Sequence, residues 1–195
     1  MPMTDDDVAT ERARWNAVYR TSRNFKTTVN DWLVAMLGDR PPGVALDLCT
    51  GQGRNALHLA RLGWRVTGID LAEEGLRLAA EAAAREQLEV ELVHADLDHY
   101  ELGTERYDLA LMIYAGDEVH VAEHARDSLK RGGLFLLEFF SMDSPFAAQS
   151  GGWKRGHLAE IFRDGFTILR DEEIDAISDW GLDADKLVRF AAEKR

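Results

Sequence analysis

Apolar positions along the chain follow two alternating rhythms. Between residues 44 and 140, the short apolar runs VALDL, WRVTGID, EVELVHAD, YDLALMI and LFLLEFF have the length of buried strands. The segments between them, NALHLARLG, AEEGLRLAAEAAAREQ and DEVHVAEHARDSLK, carry their apolar residues at helical spacing. Repeated β-α units of this length predict a parallel sheet with right-handed crossovers and helices on both faces. After residue 140 the texture changes to the Ser- and Gly-rich SMDSPFAAQSGGWKRG, then a short helix, HLAEIFRDG. Two further strand-like segments, FTILRDEEIDAISDW and KLVRFAAEKR, are joined by a Gly-Leu-Asp turn, and so short a connection permits only antiparallel pairing. The expected fold is α/β and doubly wound: a mostly parallel seven-stranded sheet finished by a C-terminal antiparallel hairpin.

The N-terminal pattern is different. Thr4 followed by Asp5, Asp6 and Asp7 reads as a helix cap with acids in the first turn, after which Val8, Trp15, Val18 and Tyr19 share one face. Asn30 is positioned to cap a second short helix, DWLVAML, which Gly38 and Pro41-Pro42 stop. The organisation expected is a helical segment over 1–40, a core over 41–140, and a loop plus hairpin over 141–195, all within one domain of 195 residues.

Charge narrows the partners. Lys plus Arg is 23 against 35 for Asp plus Glu, a net charge of −12 that repels a phosphate backbone. The expectation is a small-molecule partner, no nucleic acid and no membrane, in a monomer or homodimer. The acidic N-terminus reads as neither signal nor transit peptide, and no run approaches the ~18 to 20 apolar residues of a membrane span. A single cysteine leaves no internal disulfide, which suits a reducing cytoplasm.

In open α/β sheets ligands sit beyond the carboxyl ends of the strands, so the residues just after each strand carry the chemistry. After the first strand comes Asp47-Leu-Cys49-Thr-Gly51-Gln-Gly53, running straight into a helix. Glycines there let the backbone approach a ligand at a helix N-terminus, although the same spacing also serves a plain tight turn. After the second strand comes Asp70, where an acid meets ribose hydroxyls in nucleotide-binding folds or caps the helix starting near Ala72. After the third comes Asp96-Leu97: the carboxylate suits an exocyclic amine and the leucine an adenine face, while a solvated surface acid explains Asp96 equally simply.

These stretches, ALDLCTGQGRNALHLARLGWRVTGID, HADL, YDLALMI and LKRGGLFLLEF, resemble a class I S-adenosylmethionine (SAM) dependent methyltransferase in order and spacing. GRNALHLARLGWRVTGID and the early WNAVYR are most similar to the small bacterial branch of tellurite-resistance-type and thiol- or thiopurine-type enzymes. The resemblance implies a Rossmann-like sheet and SAM as cofactor. It assigns Asp47, Cys49, Gly51, Gly53 and Asn55 to the loop around the methionine part, Asp70 and Leu71 to the ribose and adenine, and Asp96 and Leu97 to the adenine edge. Ile113 and Tyr114 would lie near the sulfonium end, with Trp15 and Tyr19 on a helix covering the cofactor; core packing is the alternative for both aromatics. The family pattern is D-x-G-x-G-x-G, and Cys49 departs from it at the first glycine.

Methyl transfer needs alignment, exclusion of water and sometimes proton removal. Candidate proton acceptors are His120, one helical turn from His124, with Asp117 and Glu118 ahead of them; Tyr114 is a second candidate for a catalytic role. No third ligand accompanies the two histidines, so no metal is expected. The fourth strand end lacks the Asn-Pro-Pro-Tyr signature of enzymes that methylate nucleobase or glutamine amide nitrogens. Phe146, Trp153, Lys154 and Arg155 lie in a loop suited either to substrate contact or to plain surface exposure. The competing readings are a nicotinamide dehydrogenase, through Gly51-x-Gly53-x-x-Ala56 and Asp70, and a SAM-binding module without turnover.

Overall fold

The computed structural model describes residues 4–21, 26–181 and 183–195. Leu182, part of the Gly-Leu-Asp turn expected between the last two strands, lies outside them. Strands β1 (Val44–Leu48), β2 (Arg65–Asp70), β3 (Val90–His94), β4 (Tyr107–Ile113), β5 (Leu129–Phe140), β6 (Phe166–Ile177) and β7 (Ala184–Lys194) form one sheet in the order β3-β2-β1-β4-β5-β7-β6. The first five pair in parallel, and β7 runs antiparallel to both β5 and β6. Strand order therefore reverses between β1 and β4, and their carboxyl ends open a crevice at that point. The fold is the seven-stranded, doubly wound sheet with a terminal hairpin that the pattern predicts.

Helices α1 (Asp5–Thr21), α2 (Asp31–Leu37), α3 (Arg54–Arg61), α4 (Glu73–Glu86), α5 (Val119–Ser128), α6 (Ala147–Ser150) and α7 (His157–Ile161) complete the described elements. The central strands are buried on both faces: Ala45, Leu46, Leu48, Leu109, Leu111, Leu134 and Leu136 are all fully inaccessible. That explains why they read as continuous apolar runs rather than alternating ones. Thr4 and Asp7 exchange hydrogen bonds across the first turn of α1, and the Asn30 side chain accepts from the Leu33 N–H.

Two details depart from the sequence pattern. The Gly132-Gly133 pair does not precede β5 but lies inside it as an irregularity, where pairing with β4 jumps from Tyr107↔Leu129 to Leu109↔Leu134. Gly132 has φ 76°, and Gly133 lies so close to the Lys130 and Tyr107 carbonyls that a Cβ would strike them. The aromatic stripe of α1 is only half-buried, and the helix's one buried residue is polar: Asn16. Its amide donates to Glu73 at 2.6 Å and accepts from the Glu74 N–H at 2.9 Å. Because α4 begins after Ala72, which has no capping side chain, Asn16 supplies the cap from α1 and pins that helix across the crevice.

Candidate functional site

The crevice holds a cleft of about 340 Å³ whose walls come from α1, the β1–α3 loop, the ends of β2 to β4, and the β6–β7 tip. Trp15, Tyr19, Cys49, Gly51, Asp70, Leu71, Asp96, Leu97, Ile113 and Tyr114 all line it. Residues far apart in sequence are thus brought together because each follows a parallel strand or sits on the helix laid over the strand ends.

The β1–α3 loop is built from below. Asp47, buried at the end of β1, accepts a 2.7 Å hydrogen bond from the Thr50 hydroxyl. Burial pushes its carboxyl up to about 6 despite that bond and the nearby Arg54 guanidinium. Thr50 N–H in turn donates to the Ile69 carbonyl, joining the loop to β2. Asp70 holds the same loop from the side: its carboxylate accepts from the Gly51 and Ala72 N–H groups, each at 2.7 Å. Burial pushes the Asp70 carboxyl up, opposed by these backbone donors. Ribose contact and helix-end capping were alternatives for Asp70 in sequence; the carboxylate fastens the start of α4 while also facing the cleft.

Gly51, at φ 57°, is covered by Tyr19, whose hydroxyl occupies the space a Cβ would need. Gly75 on α4 lets both the Tyr19 ring and the Gly51 backbone approach, since a Cβ there would meet them at 3.0 and 3.1 Å. Cys49 is open to the cleft at φ 53°, a left-handed conformation. Burial within the cleft, then Asp70, Glu118 and Asp47, push its thiol up, so it is not an activated nucleophile. Cys49→Gly is expected to keep stability within about 1 kcal/mol, because relief of the left-handed strain is offset by the added freedom of the unfolded chain. Titration with SAM should show equal or tighter binding; a loss beyond about tenfold would make the cysteine side chain a ligand contact.

Other residues singled out in the sequence lie away from the cleft. Gly53 caps α3 at φ 78° and packs against Ala79. Asn55 is buried and accepts the Asn30 N–H at 3.0 Å, joining α2 to α3. His120 does not line the cleft; its Nε2 is hydrogen-bonded to Asp98 at 2.6 Å, and its ring meets that of His124 edge-on at 6.0 Å. No group of three or more His, Cys, Asp or Glu among the described residues could hold a metal ion. Of the 141–156 loop residues, Trp153 is buried and donates from Nε1 to the Gly116 carbonyl, while Lys154 and Arg155 are exposed. Gln149 and Ser150 reach the cleft instead.

Sequence reasoning missed the far wall. Asp179, two residues past the hairpin's first strand, pairs with Arg54 at 2.6 Å and Lys26 at 3.0 Å and accepts from the Asn30 amide at 2.8 Å. Its own N–H donates to the Tyr114 hydroxyl oxygen at 3.1 Å. Tyr114 has φ 56°, rare for a bulky residue, which presents the ring to the cleft from the end of β4. Burial and then Glu138 push its phenol up, so it stays protonated. Behind it, Glu138 is buried between Arg189, at 2.6 Å, and the Asn30 amide, at 2.7 Å. The sequence signal for this wall was an acid followed by tryptophan at a hairpin tip, legible only once the hairpin's place beside β5 is known.

Residues 45–133 match the family model described as a methyltransferase domain. Over its whole length the chain superposes on Burkholderia thailandensis 1,6-didemethyltoxoflavin-N1-methyltransferase, whose structure holds 1,6-didemethyltoxoflavin and S-adenosylhomocysteine; the TM-score is 0.74 at 22% identity, covering 92% of that chain. TehB from Haemophilus influenzae aligns with a TM-score of 0.71 at 20% identity, over 95% of this chain and 67% of that one. A protein of Geobacillus sp. (strain WCH70) named for methyltransferase activity is 29% identical over 140 residues, 68% of this chain and 51% of the relative. Shorter matches reach two bacterial glutamine methyltransferases that act on a ribosomal protein and a release factor. The chain spans about half the length, or less, of the curated relatives it matches. Its fold is that of these superposed structures, and the similarity to the methyltransferase-domain model falls on residues 45–133.

Proposed function

We propose that the chain transfers a methyl group from SAM to a small-molecule acceptor by in-line displacement. The observation that carries this reading is the convergence of the Gly51 loop, Asp70, Leu71 and Asp96-Leu97 on one cleft at the β1/β4 switch point. The residues present fit the cofactor. Asp70 offers buried carboxylate oxygens toward ribose hydroxyls, Leu71 and Leu97 offer apolar faces for a base, and Asp96 an acceptor for its amine. Gly51 keeps backbone rather than side chain at the floor.

When bound, SAM supplies an electrophilic methyl group and a neutral thioether leaving group. The chain's own contribution is placement: α1 and the hairpin tip close the cleft against water, and Tyr114 and Ile113 face the space between cofactor loop and acceptor wall. Neither Tyr114 nor His120 is placed to remove a proton: Tyr114 keeps its own and His120 is turned to Asp98. An acceptor that reacts as an anion or a lone-pair donor fits such a site.

The cleft volume lies at the low end of ligand pockets, which suits a nucleoside-sized cofactor with a small acceptor rather than a dinucleotide. The β4 end reads Ile113-Tyr114-Ala115-Gly116 and lacks Asn-Pro-Pro-Tyr, which, with the net charge of −12, weighs against a glutamine or nucleobase acceptor. No helix among the described residues is long and apolar enough to cross a membrane. Calorimetric titration with SAM, S-adenosylhomocysteine and NAD is expected to show micromolar binding of the first two and none of NAD. The second reading, a SAM-binding module without turnover, is favoured by Cys49 in a glycine's place; it predicts the same binding with no S-adenosylhomocysteine formed from any acceptor.

A further inference from the structure

Trp180 is the centre of an aromatic cluster at the cleft. Its ring centroid lies 5.6 Å from Trp15, 5.4 Å from Tyr114, 6.2 Å from Phe139 and 5.6 Å from Phe140. Trp15, Tyr114, Phe139 and Trp180 all line the cleft, and they come from four separate parts of the chain. Phe140 stacks on Phe146 at 5.4 Å, and Phe146 is 45% exposed, so the aromatic surface continues from the cleft to solvent. Met142 and Ile177 are exposed apolar neighbours in sequence of this exit, at 62% and 64%. A tryptophan kept 38% exposed on a hairpin tip, together with such a path, is a recognition surface more than a core.

Charge around the cleft has a consistent sign. Carboxylates of Glu11, Asp70, Asp96, Asp98, Glu118 and Asp179 line it against the cations of Arg14, Lys26 and Arg54, and each of those cations is matched. Arg14 pairs with Glu11 at 2.9 Å, and Lys26 and Arg54 both pair with Asp179. An oxyanion entering here would meet an excess of carboxylates over cations and no unmatched cation among those residues.

We propose that Trp180 and the β6–β7 tip form the acceptor subsite, and that the acceptor is a planar aromatic or heteroaromatic molecule bearing no anionic group apart from the atom that is methylated. This rests on the methyltransferase reading and narrows its acceptor. In the transfer, a lone pair of a ring-borne sulfur, nitrogen or oxygen forms the new bond to the methyl carbon as the carbon–sulfur bond of SAM breaks toward sulfur. A proton on that atom leaves to solvent.

The test uses the full chain with SAM and measures S-adenosylhomocysteine formation from 2-mercaptobenzimidazole, benzimidazole, 2-mercaptoethanol and sodium tellurite. Binding of the same four to the S-adenosylhomocysteine complex is followed by ligand-observed NMR. The aromatic probes are expected to bind, and 2-mercaptobenzimidazole to exceed 2-mercaptoethanol in kcat/KM by about tenfold or more, the equivalent of one lost aromatic contact. Trp180→Ala should erase that advantage mainly through KM while Trp180→Phe restores most of it, with S-adenosylhomocysteine affinity reporting that each variant is folded. Tellurite or 2-mercaptoethanol outperforming the aromatics overturns the proposal, as does absence of aromatic binding, or a Trp180→Ala loss equal for every acceptor. Failure of SAM itself to bind would instead overturn the methyltransferase reading.

Discussion

Asp70→Ala is expected to weaken SAM binding by about 100-fold or more and to lower folding stability by about 2–4 kcal/mol. Both effects come from one carboxylate. In the folded chain it is 7% exposed and accepts the Gly51 and Ala72 N–H groups, so its removal strands two buried donors, each costing about 1–3 kcal/mol. The Gly51 donor belongs to the loop that lines the cofactor side of the cleft, so loosening it disorders that wall as well as deleting the ribose acceptor. Asp70→Asn retains an oxygen for one of the two donors but turns an N–H toward the other, and should fall between wild type and alanine. Calorimetric titration at a temperature where the variant remains folded, paired with urea denaturation, separates the two effects. A stability loss with unchanged SAM affinity would confine Asp70 to holding the loop and remove it from the cofactor site.

Much of this side of the molecule was legible in sequence because it is local. Strand, tight loop and helix N-terminus are consecutive, so Gly51 and Asp70 announce themselves by position after a buried apolar run, and Asp96 by position after the partly exposed edge strand β3. Asp47, Gly53 and Asn55 were legible as members of the same motif, but their orientation was not. Each lies beneath or behind the loop, holding Thr50, α3 or α2 rather than facing the cleft. His120 shows the limit of helical spacing as a guide: sharing a face with His124 said nothing about Asp98, which arrives from the loop after β3. The opening helix illustrates the same point from the other side. Its aromatic stripe gave the cleft-facing residues, Trp15 and Tyr19, but its firmest attachment is the amide of Asn16 on the start of α4, a contact between positions 57 and 58 residues apart.

The far wall was illegible because it depends on where the hairpin docks. Nothing local distinguishes Asp179-Trp180 from an ordinary polar turn until β7 pairs with β5 and β6 with β7, which carries the tip over the carboxyl end of β4. Glu138 is likewise an acid inside the most apolar run of the chain, and it is tolerated there because Arg189 and Asn30 meet it from β7 and the start of α2. On the proposed reading, specificity would reside in the segment whose sequence says least, while the cofactor side follows rules readable from the strand ends.

That division makes Asp179 the second residue of large expected effect. Its side chain is 6% exposed and that of Arg54 12%, so Asp179→Ala leaves a largely buried guanidinium without its partner and is expected to destabilise the fold by about 3–5 kcal/mol. It also frees the tip from the first residue of α3, so turnover should fall through the acceptor side, as a raised acceptor KM. Burial alone would raise the Asp179 carboxyl, but Arg54, then Asn30 and Lys26, outweigh it and hold the group below its ordinary value of 3.8. A folded value below the unfolded one means that the pairing stabilises fully above about pH 4 and is lost as pH falls through the lower folded value. Asp179→Asn preserves shape without the charge, so the stability gap between wild type and this variant should be widest at pH 7 and narrow below pH ~4. Urea midpoints for both proteins at pH 7 and at pH ~3.5 check this directly. A gap that does not change with pH would mean that the Asp179 contacts act through hydrogen bonding and packing alone, and the hairpin tip would then be held over the cleft by its aromatic contacts rather than by charge.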